Sequence, residues 1–269
     1  MKKLFLFSVV ILLLASCSSN PYAPTNKVYK RKAKEFAKTI SRSPLPIVNM
    51  PGVKPAPYFA GTVNFSLRKP NFVIIHHTAQ DACEKTLKTF TLSRTQVSAH
   101  YVVCKDGTIY HMLNDYLRAW HAGSGSWGKN TDINSASIGI ELDNNGFEPF
   151  TAEQMKSLMA LLENLKKAYN IPVANFIGHA DIAPTRKQDP NPYFPWKEFA
   201  KAGFGIWYED ALEVAPENFD YITGLKLIGY DVTNVNAAIV AFKRHFIQAD
   251  VSPLLTQWDK NVIYYLSRK

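Results

Sequence analysis

A dense group of ionisable side chains follows a short apolar run late in the chain. The run Val173 to Ile177 is typical of a buried strand, and the segment Gly178 to Pro190 behind it contains one His, two Asp, one Arg and one Lys. Binding and catalytic groups often collect in loops that follow strand ends. Because neutral imidazole and carboxylate are both good zinc donors, His179 and a carboxylate of this loop could bind one cation together.

A third ligand must come from elsewhere in the chain, and a second strand end offers it. Phe72 to Ile75 is a continuous apolar run, as expected of a strand covered on both faces, and His76 and His77 follow it. Adjacent strand residues point to opposite sides, so only one of the two histidines can face a given metal. Considered alone, His77 reads as a hydrogen-bonded structural histidine or as a support for the ligand.

A carboxylate stands at the end of a third strand. Within Ser137 to Leu142, three aliphatic side chains alternate with a second face made of Ser137, Gly139 and Glu141. Burying a glutamate on such a face costs free energy unless the carboxylate is solvated, is paired or has a function. The pattern therefore predicts either a cleft floor that ends in a functional carboxylate or an exposed strand end.

The elements that must position these residues follow from periodicity and turn signals. A helix is predicted over residues 81–92. Strands over residues 97–105 and 108–112 flank Asp106-Gly107, a strong hairpin signal. His100, on the first of these strands, lines the cleft or is a core histidine. Thr151 to Gln154 has the pattern of a capping box and starts a helix that ends near Asn170.

Two cysteines, Cys83 and Cys104, fall in this region. In an oxidising compartment they could pair, but a sequence does not reveal the distance between their Cα atoms. The disulfide stays an open question at this point.

The composition is that of an ordinary globular protein, and the positive net charge suggests an anionic binding partner. The 269 residues suit one medium domain plus something smaller, and 46% of them are hydrophobic. The net charge of +9 is compatible with binding to nucleic acid, to acidic lipid or to a cell-wall polymer, so charge alone does not discriminate among these partners.

Both ends of the chain have recognisable patterns. At the N-terminus, Lys2 and Lys3 precede the apolar run Leu4 to Leu14, which is too short for a membrane-spanning helix and is typical of a targeting segment. A tether at residues 18–24 leads to the basic run Lys27 to Glu35, which either lies on anionic lipid or glycan or forms a solvated arm. A stretch with five prolines, residues 43–58, favours an extended approach to the domain.

The C-terminal segment is predicted to be helical after a linker at residues 210–217. Apolar spacing indicates one helix around Phe219 to Leu225 and a second around Ile239 to Phe246. Ser252-Pro253 is expected to cap a third helix, which carries Trp258.

Five segments, in this order, resemble the zinc-dependent N-acetylmuramoyl-L-alanine amidases of the amidase-2 family, relatives of phage T7 lysozyme and of peptidoglycan recognition proteins. They are Ile75 to Thr78, Val97 to Tyr101, Trp120 to Gly123, Ser137 to Glu141 and Gly178 to Pro184. The likeness covers roughly residues 71–207 and is greatest to lipoprotein amidases of the AmiD type. It implies an α/β fold with a mixed central β-sheet flanked by helices, followed by a small C-terminal three-helix domain.

The resemblance also implies roles for individual residues. It selects His76, His179 and Asp189 as ligands of one Zn²⁺ per chain and leaves Asp181 as a hydrogen-bonding support for its loop. Glu141 would act as general base and then general acid, and Lys187 would stabilise the oxyanion. The residues expected to bind substrate are Trp120, His121 and Arg186.

Substrate, partners and location are expectations of the same kind. The implied substrate is the amide between N-acetylmuramic acid and L-alanine in peptidoglycan or muropeptides, hydrolysed by a monomer that binds no nucleic acid. Leu14 to Cys17 resembles a bacterial lipobox, which implies a diacylated Cys17 and an outer-membrane lipoprotein facing the periplasm. The implied domains are a signal peptide at 1–16, an arm at 17–58, the zinc amidase domain at 59–209 and a peptidoglycan-binding-like helical domain at 218–269. The competing reading is a recognition module that binds muropeptides without cutting them.

Overall fold

The structure, a computed structural model, describes residues 20–42, 62 and 66–269, which fall into two units divided between Phe65 and Ser66. Cys17, the targeting segment and the proline-rich stretch at 43–58 lie outside the described residues. Of the helices within the described ranges, none has both the length and the apolar character needed to cross a membrane.

Within residues 20–42 of the N-terminal unit the structure describes one helix, where the sequence predicted either a segment lying on anionic lipid or glycan or a solvated arm. Helix α1 spans Ala23–Ile40, includes the whole basic run, and has no buried residue. Pro24 lies in its first turn, where proline is favoured, and lysine and alanine are good helix formers. Tyr29, Phe36 and Ile40 recur at helical spacing and stay exposed.

The second unit is built on a five-stranded mixed sheet, as predicted. The strands are β1 (Phe72–His77), β2 (Tyr101–Val103), β3 (Ile109–His111), β4 (Ser137–Leu142) and β5 (Phe176–Gly178). Their order is β3-β2-β4-β1-β5, with β3 alone antiparallel to its neighbour. The central strands β1 and β4 are buried on both faces, which agrees with the apolar run of β1.

Three predicted strands are shorter than expected. The hairpin strands β2 and β3 have three residues each. Before β2, the backbone N–H of Ser98 bonds to the Trp120 carbonyl rather than to a neighbouring strand. The predicted strand at 173–177 is a 3₁₀ turn, Val173–Asn175, followed by β5. The turn is closed by a hydrogen bond from the Asn175 N–H to the Pro172 carbonyl.

The remaining helices of this unit pack against the sheet or follow it in the chain. They are α2 (Cys83–Thr91), α3 (Ile133–Ala136), α4 (Ala152–Tyr169), α5 (His179–Ile182), α6 (Trp196–Lys201), α7 (Tyr221–Ile228), α8 (Val235–Phe246) and α9 (Gln257–Leu266). Helix α4 buries Leu158, Leu162 and Leu165 in the same core as β1 and β4. It ends at Asn170, as the sequence predicted. Asn170 has the left-handed backbone conformation that is common at helix C-termini.

The predicted capping box of α4 forms only in part. Thr151 accepts a hydrogen bond from the N–H of Gln154, but the Gln154 side chain does not return to the N-cap. It is fully buried and donates instead to the carbonyls of Val103 and Asp143, at 2.8 and 3.1 Å. Gln154 therefore ties the helix to the ends of β2 and β4.

The C-terminal helices enclose a second apolar core. Helices α7, α8 and α9 contribute Leu225, Phe242 and Val262 to it, and Ala180 of α5 belongs to the same cluster. The third helix begins at Gln257 rather than near Ser252, because Thr256 and Asp259 form a reciprocal capping box.

Cys83 and Cys104 are disulfide-bonded, with their Cα atoms 5.5 Å apart. The bond joins the start of α2 to the residue after β2 and answers the question that the sequence left open.

Candidate active site

Three parallel strands bring their carboxyl ends to one edge of the sheet. In the register of β1 and β4, His76 pairs with Glu141, and in that of β1 and β5, Ile75 pairs with Gly178. His76, Glu141 and His179 therefore meet at the edge where ligands of open α/β sheets bind.

The three predicted ligands converge through specific atoms. The Nδ1 atoms of His76 and His179 are 2.9 Å apart, and Asp189 Oδ2 lies 3.1 Å from the first and 2.9 Å from the second. All three side chains are buried. Asp189 is far along the loop from His179, but its carbonyl accepts a hydrogen bond from the Ala180 N–H at 2.7 Å, which folds the loop back.

Hydrogen bonds behind His76 determine which of its nitrogens carries the proton. Ser137 Oγ donates to the Ile133 carbonyl at 2.6 Å, so it must accept from His121 Nε2 at 3.1 Å. Burial, and then the nearby His76, lower the pKa of His121 well below its usual value, so the ring is neutral and its Nδ1 is an acceptor. His76 Nε2, 3.0 Å away, then donates to His121 Nδ1, and the Nδ1 of His76 keeps a free electron pair.

His179 is oriented in the same way by a carbonyl. Its Nε2 lies 3.3 Å from the Ala122 carbonyl, which can only accept, so in the neutral ring Nδ1 has the electron pair. Two imidazole electron pairs and a carboxylate oxygen thus face one another in a buried space. This donor set suits a divalent cation such as zinc, and these three residues could hold a metal ion.

Electrostatics agree with this arrangement. Burial, and then the neighbouring His179, lower the pKa of His76 to about 4. Burial alone would raise the pKa of Asp189, but the adjacent His179 and His76 rings hold it well below its usual value. The site therefore presents a neutral His76 and an ionised Asp189 near pH 7.

Glu141 lies beside the three ligand atoms without joining them. Its Oε1 is 4.0 Å from His76 Nδ1, and its buried Oε2 has no hydrogen-bond partner among the residues described. Burial, and then the charge of Asp189, raise the pKa of Glu141 to about 8, although Lys187 acts in the opposite direction. A carboxyl group in this environment can take up and release a proton near neutral pH.

Comparison with known proteins agrees with this geometry. The sequence profile of the N-acetylmuramoyl-L-alanine amidase family matches residues 66–192. The chain is 36% identical over 207 residues to the N-acetylmuramoyl-L-alanine amidase AmiD of Escherichia coli, covering 65% of this chain and 74% of AmiD.

The chain belongs to the amidase-2 family of N-acetylmuramoyl-L-alanine amidases.

Other proteins are similar to this amidase in sequence or in structure. The 1,6-anhydro-N-acetylmuramyl-L-alanine amidase AmpD of Haemophilus influenzae is 39% identical over 105 residues, which cover 39% of this chain and 57% of AmpD. Among solved structures, E. coli AmiD bound to anhydro-N-acetylmuramic acid-L-Ala-D-γ-Glu-L-Lys aligns with a TM-score of 0.68 and 29% identity, over 77% of this chain and 92% of that one. AmpDh3 of Pseudomonas aeruginosa aligns with a TM-score of 0.68 and 27% identity, over 81% of this chain and 98% of AmpDh3.

Lys187 and Arg186 of the amidase differ in their surroundings. Lys187 is half-buried, and its positive charge acts to lower the pKa of both His76 and Glu141. The Arg186 guanidinium donates to the carbonyls of Ala122 and Ser124, at 3.1 and 2.9 Å. Arg186 thus supports the 122–124 loop, and its predicted contact with a substrate carboxylate stays a prediction.

His121 does not have the environment expected of a substrate donor. It is 8% exposed, and both ring nitrogens are engaged, one by His76 and the other by Ser137. The small residue Gly139 makes room for it, since a Cβ there would lie 2.4 Å from the His121 ring. The small face of β4 therefore accommodates a histidine rather than forming a cleft floor.

Trp120 and the remaining histidines have separate environments. Trp120 is 47% exposed at the start of the same loop, and its predicted contact with a sugar ring stays a prediction. His100 is a core histidine, bonded to the Gly139 N–H and the Leu117 carbonyl. His77 lies on the opposite face of β1 from His76, beside Gly146.

Asp181 supports its segment, but through partners that sequence reasoning missed. It accepts a hydrogen bond from the Gly178 N–H, as a local loop support would, and two more from Tyr230 and His245 of the C-terminal segment. No spacing in the sequence links those two residues to Asp181, because they lie 49 and 64 positions further along the chain.

Proposed function

We propose that this amidase uses zinc to hydrolyse the amide between the lactyl group of N-acetylmuramic acid and L-alanine, in peptidoglycan or muropeptides, while held at a membrane by a lipid on Cys17. The observation that carries the proposal is the convergence of His76 Nδ1, His179 Nδ1 and Asp189 Oδ2 beside the carboxyl group of Glu141.

The protein side of the reaction follows from the placement of Glu141 and Lys187. A bound zinc ion supplies Lewis acidity and lowers the pKa of a water molecule to about 7. Glu141 accepts the proton of the attacking water and passes it to the leaving amine of L-alanine, because its pKa of about 8 lies near neutral pH. Lys187 stabilises the negative charge that develops on the carbonyl oxygen.

The proposed substrate is supported by the ligands bound in related structures and by exposed side chains near the site. The AmiD structure contains an anhydro-N-acetylmuramic acid tripeptide, and an AmpDh3 structure contains an anhydromuramic pentapeptide. Exposed Trp120 offers a flat ring for the sugar, and Arg186 a charge for a stem-peptide carboxylate.

The experiment that tests this function is digestion of purified sacculi and of anhydromuropeptides, with and without a chelator, followed by mass spectrometry. The proposal expects free stem peptides from at least one of the two substrates, lost with chelator and restored by Zn²⁺. Muropeptides that are retained intact by the zinc-loaded protein would support the recognition module instead.

The membrane location is a proposal of its own, with three observations in support. Leu14 to Cys17 has the lipobox pattern, and the Cys83–Cys104 disulfide suits an oxidising compartment outside the cytoplasm. Helix α1 combines a run of lysines with exposed Tyr29, Phe36 and Ile40, as helices at anionic membrane surfaces do.

Metabolic labelling with a palmitate analogue tests the anchor. The wild-type chain should become labelled and sediment with outer membranes that face the periplasm, whereas Cys17→Ser should do neither. A labelled Cys17→Ser variant, or an unlabelled wild-type chain, would contradict the anchor.

A further inference from the structure

The segment that bears two of the three metal-binding residues is held by the C-terminal helices. Asp181, two residues after His179, is 2% exposed and has three hydrogen-bond donors. Its Oδ2 accepts from the Gly178 N–H at 2.7 Å and from His245 Nδ1 at 2.7 Å, and its Oδ1 accepts from the Tyr230 hydroxyl at 2.7 Å. A buried carboxylate is costly when unpaired, so these donors are needed to keep Asp181 inside.

The two C-terminal donors are themselves fixed by packing. The His245 ring, at the end of α8, stacks on Trp196 with a centroid distance of 3.8 Å and an interplanar angle of 18°. Tyr230 is 2% exposed and meets the edge of Trp127 at 4.9 Å. Both side chains therefore present their donors to Asp181 in one orientation.

A second contact holds the other end of the same segment. The side-chain amide of Gln248, just after α8, donates to the carbonyls of Pro192 and Phe194, at 2.7 and 2.6 Å. These carbonyls follow Asp189 in the chain. The C-terminal helices thus hold residues 178–194 on both sides of the ligand pair His179 and Asp189.

The residues around Asp181 pack so closely that none of them can move without its neighbours. At Gly178 a Cβ would lie 2.9 Å from Pro190 and 3.2 Å from Asp181 Oδ2, which shows how closely the backbone before His179 packs against the loop. If Asp181 lost its partners and moved toward water, the short helix α5 that carries His179 would move with it. Displacing His179 Nδ1 would open the 2.9 Å spacing to His76 and Asp189.

We propose that Tyr230 and His245 are positioning residues of the metal site, which hold His179 in its ligating orientation through Asp181. The C-terminal helical segment is then a structural part of the catalytic centre as well as any glycan-binding element. The proposal rests on the zinc site proposed above. Residues that orient metal ligands typically change metal affinity by about 10–100-fold when they are replaced.

The test measures zinc dissociation constants of the full chain by competition with a chromophoric chelator, for wild type, Tyr230→Phe, His245→Phe and the double variant. Each substitution keeps an aromatic ring and removes only a donor to Asp181. We expect zinc binding about 10–100-fold weaker for His245→Phe and the double variant, with a smaller loss for Tyr230→Phe. His245→Asn, whose amide N–H can reach Asp181, should recover part of the affinity.

Asn261→Ala is the matched control. Asn261 is a buried residue of α9 that accepts hydrogen bonds from the Ala215 N–H and from Gln257, both at 2.9 Å, and it takes no part in the contacts with Asp181. It should lower the melting temperature while leaving the zinc dissociation constant unchanged.

Three outcomes are decisive. Wild-type affinity in folded His245→Phe and Tyr230→Phe would overturn the inference, as would an equal loss of affinity in Asn261→Ala. If His245→Phe does not fold, Tyr230→Phe, which lacks only one hydroxyl, decides by the same criterion. A wild-type chain that binds no zinc would instead refute the proposed function, so the two failures are distinguishable.

Discussion

At the scale of single residues, the site depends on where protons reside. His76 and His179 turn their Nδ1 atoms toward Asp189 because their Nε2 atoms donate to His121 and to the Ala122 carbonyl. Glu141 stands beside them with a raised pKa and a free oxygen. In the proposed reaction, ligand and proton-transfer functions are therefore divided between different carboxyl groups, Asp189 for the first and Glu141 for the second.

Replacing Glu141 with glutamine should separate these functions. The amide retains the shape of the side chain but cannot accept a proton, so kcat for stem-peptide release should fall by about 10²–10⁴-fold. The zinc content of the purified variant, measured by atomic emission, should stay at the wild-type level. Wild-type turnover in Glu141→Gln would show that the proton passes elsewhere.

His121→Phe tests the proton assignment on His76. Phenylalanine fills the space but removes the acceptor for His76 Nε2–H, so zinc should bind about 10–100-fold more weakly in chelator competition. Gly139→Ala should act in the same direction, since its Cβ would collide with the His121 ring at 2.4 Å.

His100→Phe provides the comparison for His121→Phe. His100 is just as buried and hydrogen-bonded on both nitrogens, but to Gly139 and Leu117 rather than to a ligand. Its replacement should lower stability and leave zinc affinity unchanged. Equal zinc affinities in the His121 and His100 variants would remove the basis for the proton assignment.

At the scale of elements, the carboxyl ends of β1, β4 and β5 determine which residues meet. Their register places His76 beside Glu141 and brings Gly178, next to His179, beside Ile75. A one-residue change of register would turn each side chain of these buried strands to the opposite face and would misalign His76 and Glu141. Stability of the sheet and geometry of the site are thereby coupled.

The disulfide is the element-scale feature whose contribution is simplest to measure. It joins residues separated by 21 positions, and a loop of that length predicts a loss of about 3 kcal/mol in the free energy of unfolding when the bond is absent. Denaturant unfolding of the Cys83→Ser/Cys104→Ser variant, compared with wild type under oxidising and reducing conditions, measures this. Identical midpoints in all samples would show that the bond adds no stability.

Much of the sheet could be predicted because its signals are local. The apolar run before His76 and the alternation that ends at Glu141 each identify a strand and the residue at its end. The shortening of β2 and the turn at Val173–Asn175 depend on hydrogen bonds to distant or irregular backbone, which periodicity does not report. The bonds from His121 to His76 and to Ser137 are tertiary contacts of the same kind.

Helix α1 was missed for a different reason. When charge is considered first, the run of lysines between Lys27 and Lys38 predicts a solvated arm rather than a helix. Its helix-forming residues and first-turn proline indicate a helix, and the structure has one.

At the scale of the whole molecule, residues 66–269 form one compact unit. The sequence predicted a boundary at 210–217 between the amidase domain and a helical domain, and that division stays a prediction. Ala180 of α5 shares an apolar cluster with α7, α8 and α9, and Asp181 bonds to the same helices. Folding of the C-terminal segment and order at the metal site are therefore expected to be linked.

Metal removal should show this linkage in the stability of the whole unit. A ligand that binds only the folded state at a free concentration of 100 times its dissociation constant adds about 2.7 kcal/mol to the free energy of unfolding. Chelator-stripped protein should melt at a lower temperature than zinc-loaded protein, and His179→Ala should lose the response to zinc. Equal melting temperatures with and without zinc would show that the ion does not bind the folded state in preference to the unfolded chain.

The central claim is that His76 Nδ1, His179 Nδ1 and Asp189 Oδ2 share one catalytic zinc ion. Anomalous diffraction at the zinc edge, from crystals of the zinc-loaded protein, tests it most directly. The account predicts one strong peak per chain, about 2.0 Å from the Nδ1 atom of each histidine and about 2.0–2.2 Å from an Asp189 oxygen, with one position open toward Glu141. A peak at another site, coordination through Nε2, or a fourth protein ligand that closes the site would contradict it.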